Sequence, residues 1–99
     1  MLTTGEQIRK LRENKGLPLR KVAAELDIDQ SILSKIERGE RKATKNQIIL
    51  IAKIFEVNEK ELLINYLSDK VLYELINEDL AVDALKVAEK KIKYGRKKK

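Results

Sequence analysis

The chain has 99 residues, 42% of them apolar, and carries 22 Lys/Arg against 16 Asp/Glu for a net charge of +6. That length supports one modest hydrophobic core and an appendage rather than several domains. With no Cys and no His, disulfide staples, thiolate metal sites and the commonest catalytic base are excluded, so no enzyme, no metal and no cofactor is expected.

Taken in chain order, the N-terminal Met1-Leu2-Thr3-Thr4-Gly5-Glu6 lacks the basic-then-apolar pattern of a signal peptide. Thr4 with Gln7 matches a capping box, so a first helix is expected from near residue 5, closed by Gly16. Pro18 suits the first position of a second helix, where its missing N–H costs nothing, and Val22, Ala23 and Leu26 share one face of it. Ala23 is small where a following helix would cross. After Asp27-Ile28, Asp29 is expected to cap a third helix whose Ile32, Leu33 and Ile36 point inward. Gln30, Ser31, Ser34, Lys35 and Arg38 then form its outer face, which is short, polar and basic, and Gly39 ends it.

Thr44 with Gln47 caps a fourth helix, running to about Phe55, with Ile48, Ile51, Ala52 and Phe55 inward and Val57 sealing the core. Asn58 with Glu61 starts a fifth near residue 59. From there Leu62, Leu63, Tyr66, Leu67, Val71, Leu72, Leu75 and Ile76 recur at helical spacing. Asn77-Glu78-Asp79 breaks the chain, and Ala81, Ala84, Leu85, Ala88 and Ile92 place a last stripe on a helix from about 79 to 94, which Gly95 is expected to end. No strand-like alternation and no long internal repeat is present, so the fold class is all-α. No apolar run approaches the length of a bilayer span, which points to the cytoplasm.

Charge divides the chain in three. Residues 1–57 hold a net +4, residues 58–89 a net −5 and residues 90–99 a net +7. A basic front favours phosphate contact, an acidic middle is repelled by DNA, and a basic tail suits either DNA or that acidic middle. Two short amphipathic helices joined by a tight turn, the second opening with small polar residues, are the parts that lay a helix in the major groove of double-stranded DNA.

Across roughly residues 5 to 63, the chain resembles the Cro and lambda-repressor type of helix-turn-helix regulator, the Xre family. Ile8, Leu11 and Arg12 carry the match in helix one, Leu17 through Leu26 in helix two, and Ser34-Lys35-Ile36-Glu37-Arg38-Gly39 at the end of helix three, with Ile51-Ala52-Lys53 and Val57 completing it. The resemblance implies a five-helix DNA-binding domain, residues 1–63. It implies a structural ion pair between Arg12 and Glu37, and base reading by Gln30, Ser31, Ser34 and Lys35. In chemical terms, Gln pairs with adenine and Lys donates to guanine. Arg38, Arg41, Lys42, Lys45 and Asn46 surround the loop after helix three and are the expected phosphate ligands, with Glu40 pointing away. Where the family carries Ser/Thr-Gln at the start of helix two, this chain has Pro18-Leu19. Leu19 offers no side-chain donor, so backbone N–H groups are left to serve there.

The segment 64–94, as one long or two amphipathic helices, carries more apolar surface than a small core can cover. A homodimer is therefore expected, with Leu67, Val71, Leu75, Leu85, Ala88 and Ile92 at its interface. A palindromic operator needs two recognition helices about 34 Å apart. Residues 95–99 form a basic tail, expected to be flexible. The expected function is a nucleoid-associated transcriptional regulator that binds a palindromic operator as a homodimer and controls its own expression, in the manner of restriction-modification controllers and small phage repressors. The alternative is an antitoxin-type protein that holds a toxin partner through residues 60–94 and DNA through the helix-turn-helix.

Overall fold

A computed structural model describes residues 2–97, without the side chain of Lys97. Among these residues there are six α-helices and no strand: α1 (Thr4–Asn14), α2 (Leu19–Glu25), α3 (Gln30–Glu37), α4 (Lys45–Ile54), α5 (Glu59–Leu75) and α6 (Ala81–Lys97). The chain forms two compact units, Met1–Asp69 and Lys70–Lys99, with α5 continuous across the boundary. One element thus serves both as the fifth helix of the first unit and as the first helix of the second.

The first unit is built around apolar side chains that each helix presents at i, i+3 and i+4. Ile8, Val22, Leu33, Ile48, Ile51 and Leu62 are wholly buried in it, and Ala23, Ile36, Ala52, Phe55 and Tyr66 nearly so. Helix α3 packs against both α1 and α2. Tyr66 extends this core four residues beyond Leu62, and Asp69 reaches back to accept from the amide of Thr4 at 2.7 Å. Asn65 donates through Nδ2 to Gln7 Oε1 at 2.8 Å. Asn65 and Asp69 tie α5 to the start of α1, and the first unit accordingly runs to Asp69.

The caps differ from expectation in detail. The first capping box is Thr3 with Glu6, one residue ahead of the expected Thr4 with Gln7: the Thr3 hydroxyl accepts from the Glu6 amide while the Glu6 carboxylate accepts from the Thr3 amide at 3.0 Å. Thr4 is instead the first helical residue and is buried, with no hydrogen-bond partner for its hydroxyl among the described residues. Pro18 is the N-cap of α2 rather than its first helical residue, its φ of −73° and ψ of 156° being extended. Asp29 is the N-cap of α3 by backbone position, but its side chain makes no capping bond. The Thr44 and Gln47 box is formed, and Asn58 Oδ1 accepts from the Glu61 amide at 2.9 Å.

Helices α1 to α4 all end in the same way. Two amides beyond each helix turn back onto its last carbonyls, as in Gly16 to Glu13 with Leu17 to Arg12, and Gly39 to Ile36 with Glu40 to Lys35. The pivot residue needs a positive φ. Gly16 and Gly39 supply it freely, at 65° and 76°, but α2 and α4 use Asp27 at 56° and Glu56 at 53°. At these two ends the following residue, Ile28 or Val57, packs against the core and holds the turn.

In the second unit no described residue is buried; Leu75 and Ala81 are half-buried and the rest exposed. Gly95, expected to end the last helix and open the tail, lies inside α6, which continues to Lys97. It is not among the residues with positive φ, so it does not turn the chain, and the long cationic side chains around it favour helix. The final two residues of the expected tail, Lys98 and Lys99, lie outside the described residues.

Candidate nucleic-acid interface

Helix α3 has two faces of opposite character. Leu33, Ile36 and Glu37 are buried, while Gln30, Ser31 and Lys35 are exposed and Ser34 is half-buried. The buried face is fastened at its C-terminal end by Arg12 of α1. Its Nε donates to Glu37 Oε2 at 2.8 Å, its Nη2 to Glu37 Oε1 at 3.0 Å and its Nη1 to the Leu17 carbonyl at 2.9 Å. A single planar guanidinium thereby joins α1, the α1–α2 turn and the end of α3. A flexible ammonium could not span these partners in one geometry.

The pair is enclosed, with side-chain exposure of 13% for Arg12 and 4% for Glu37. The hydrogen bonds that Arg12 donates to Glu37 raise its pKa above the ordinary value, so the guanidinium is charged throughout the accessible pH range.

Gly5 contributes at the same place. A Cβ there would lie 2.4 Å from the Ile36 carbonyl oxygen and 2.8 Å from that of Glu37. Only a residue without a side chain lets the first turn of α1 approach the end of α3 so closely. Sequence reading passed over Gly5, because a glycine near a helix start has no turn or periodicity signal to mark its role.

The loop from Gly39 to Thr44 wraps the end of α3. The amides of Glu40 and Arg41 donate to the Lys35 carbonyl at 2.9 and 3.3 Å, and Ala43 is buried as an anchor. Between these fixed points Arg41 and Lys42 are exposed, as are Lys45 and Asn46 in the first turn of α4. The five expected phosphate ligands therefore fall in one continuous stretch from the end of α3 to the start of α4.

One contact was not anticipated. The Arg38 guanidinium donates to the Ser34 hydroxyl and forms an ion pair with the Glu40 carboxylate. Glu40, expected to point away from DNA, is paired with the first member of the basic cluster. The turn at Gly39 brings residues 38 and 40 together, and this proximity is invisible to helical periodicity. Ser34 is likewise engaged as an acceptor, leaving Gln30, Ser31 and Lys35 as the exposed members of the expected reading set.

Of the expected interface on the C-terminal helices, Leu67, Val71, Leu85 and Ile92 are between 40% and 58% exposed, and Leu75 is half-buried. Among the described residues no group of His, Cys, Asp or Glu could hold a metal ion, and no helix is long and apolar enough to cross a membrane.

Residues 8–62 match the family model described as helix-turn-helix. Among solved structures, the chain is similar to the restriction-modification controller protein C.AhdI from Aeromonas hydrophila. The two are 30% identical, with a TM-score of 0.55 over 60% of this chain and 89% of that one. No curated protein matches.

Proposed function

The chain belongs to the helix-turn-helix family of DNA-binding regulators, and from that premise we propose that it binds a palindromic operator as a homodimer and regulates its own expression. The single observation that carries this reading is the division of α3: a buried face clamped by Arg12 and, opposite it, the exposed Gln30, Ser31 and Lys35. Recognition in the major groove requires a helix whose inner face is immobile and whose outer face is polar.

In this reading Gln30 and Lys35 reach base edges, Gln30 through a bidentate pairing with adenine and Lys35 by donating to guanine O6 and N7. Ser31 and Ser34 lie beside them. Arg38, Arg41, Lys42, Lys45 and Asn46 meet the phosphate backbone. At α4, a phosphate would also meet the amides of the first turn and the positive end of the helix dipole. At α2, where Leu19 has no side-chain donor, only backbone amides are offered. Occupancy by a dimer then controls polymerase access at the promoter, and the cytoplasm is where such a protein works.

The likeness to a restriction-modification controller protein supports autoregulation as the mode. The exposed apolar surface of α5 and α6 supports self-association; a toxin partner is the competing occupant. Titration against DNA from upstream of the chain's own gene, with excess random competitor at two salt concentrations, tests the whole reading. A footprint of two half-sites that survives competitor is expected. Binding that competitor abolishes would overturn sequence-specific regulation in favour of general DNA coating.

A further inference from the structure

The second unit is about thirty residues of helix with no buried side chain among those described, far below the size at which a chain holds a core alone. Its two helices face each other across a groove of about 650 Å³, with Val71, Leu75, Ala84, Leu85, Ala88 and Ile92 as its apolar lining and Glu89, Lys93 and Arg96 as its charged one. Something must cover this groove, and the distribution of charge indicates what. Glu74, Glu78, Asp79 and Asp83 cluster at the turn between α5 and α6, whereas in the far half of α6 Lys90, Lys91, Lys93 and Arg96 outnumber the one carboxylate there, Glu89, which pairs with Lys93. Helix α6 spans 17 residues, or about 25 Å at 1.5 Å per residue. The nearest members of the two charged groups, Asp83 and Lys90, lie seven residues apart on it, about 10 Å along the axis and a little over one Debye length at physiological salt.

We propose that the groove is closed by the same hairpin of a second copy, with the two α6 helices antiparallel about a twofold axis near Ala88. This rests on the homodimer reading and specifies its geometry. In the antiparallel arrangement, the acidic turn of each copy lies against the basic end of the other, and the complementarity is satisfied twice by symmetry. A parallel pair would set acid against acid and base against base. Ala84 and Ala88, at the centre of the groove, are short enough for the helix backbones to approach closely, while Leu85 and Ile92 fill the space on either side.

The chain contains no Cys, so single cysteines report proximity without background. Ala84 and Ile92 lie four residues to either side of Ala88 and exchange places across the proposed axis. Upon oxidation, Ala88→Cys is expected to crosslink with itself. Ala84→Cys mixed with Ile92→Cys is expected to give predominantly the mixed disulfide, because only those Cα pairs come within the roughly 4.4–6.8 Å that a disulfide spans. Sedimentation of the unmodified chain accompanies the test. A dimer in which Ala84→Cys and Ile92→Cys each crosslink only with themselves, or in which none of the three crosslinks, overturns this geometry and leaves the homodimer standing. A chain that sediments as a monomer overturns both.

Discussion

The unit ending at Asp69 and the unit beginning at Lys70 are made of the same element, the amphipathic helix, and differ in what becomes of the apolar face. In the first, the short helices α1 to α4 and the first half of α5 point their stripes at one another and six large side chains are wholly buried. In the second, α6 and the part of α5 from Lys70 onward leave every described apolar side chain at least partly in water. Helix length and periodicity therefore say little about self-sufficiency. What matters is the number of independent directions from which apolar faces converge, and two helices supply too few.

The sharpest way to break this contrast is at the clamp of the first unit. Arg12→Met leaves the enclosed Glu37 carboxylate without its partner, and about 3–5 kcal/mol of stability is expected to be lost in denaturant unfolding. Adding Glu37→Leu should restore most of it, because the buried charge is then gone. The next comparison sets one leucine in each unit side by side. Leu33→Ala, at a wholly buried position, should cost about 2–5 kcal/mol at any protein concentration. Leu85→Ala, at a position 41% exposed, should cost little in dilute solution and more as concentration rises and the groove is covered.

Gly5→Ala forces a Cβ against the Ile36 and Glu37 carbonyls. A loss of about 1–3 kcal/mol is expected, with weaker operator binding in gel shift as α3 is displaced. A smaller effect is expected from Glu40→Gln, which releases Arg38. As surface ion pairs are worth ~0–1 kcal/mol, affinity for random DNA should rise by up to about fivefold while the preference for the operator falls.

The least of these effects concerns pH. The Thr3 amide and hydroxyl hold the Glu6 carboxyl below its ordinary value of 4.5. A lowered folded-state pKa means that its contribution is complete above that value and disappears as pH falls through the lowered one. Acid titration of helicity should show this limb, and Glu6→Gln should remove it.

Much of the first unit was legible because its signals are local. The stripes of α2, α3 and α4 and the Thr44 box follow from spacing alone, and those residues occupy their expected faces. The misplacements have physical causes. Thr3 and Thr4 offer the same hydroxyl one residue apart, and either can begin a box; the Glu6 carboxylate reaching the Thr3 amide decides between them. Asp27 and Glu56 end helices at positive φ with side chains that ordinarily avoid it, so a search for glycine finds only half of the turns. Conversely Gly95 carries the stop signal without the backbone angle. At the interface, the exposed face of α3 could be read from periodicity, but the engagement of Arg38 with Ser34 and Glu40 could not, since it depends on the direction the chain takes after Gly39. Gly5 is legible only once the backbone of α3 is in place beside it.

The enclosure of Arg12 and Glu37 also shapes which sequences can descend from this one. A lineage that loses either residue first passes through a protein with a stranded charge in its interior, and one that loses both together does not. Single-step drift is therefore closed off at these two positions even where the paired replacement would fold, so the arrangement persists through the steepness of the way out rather than through any superiority over its apolar substitute.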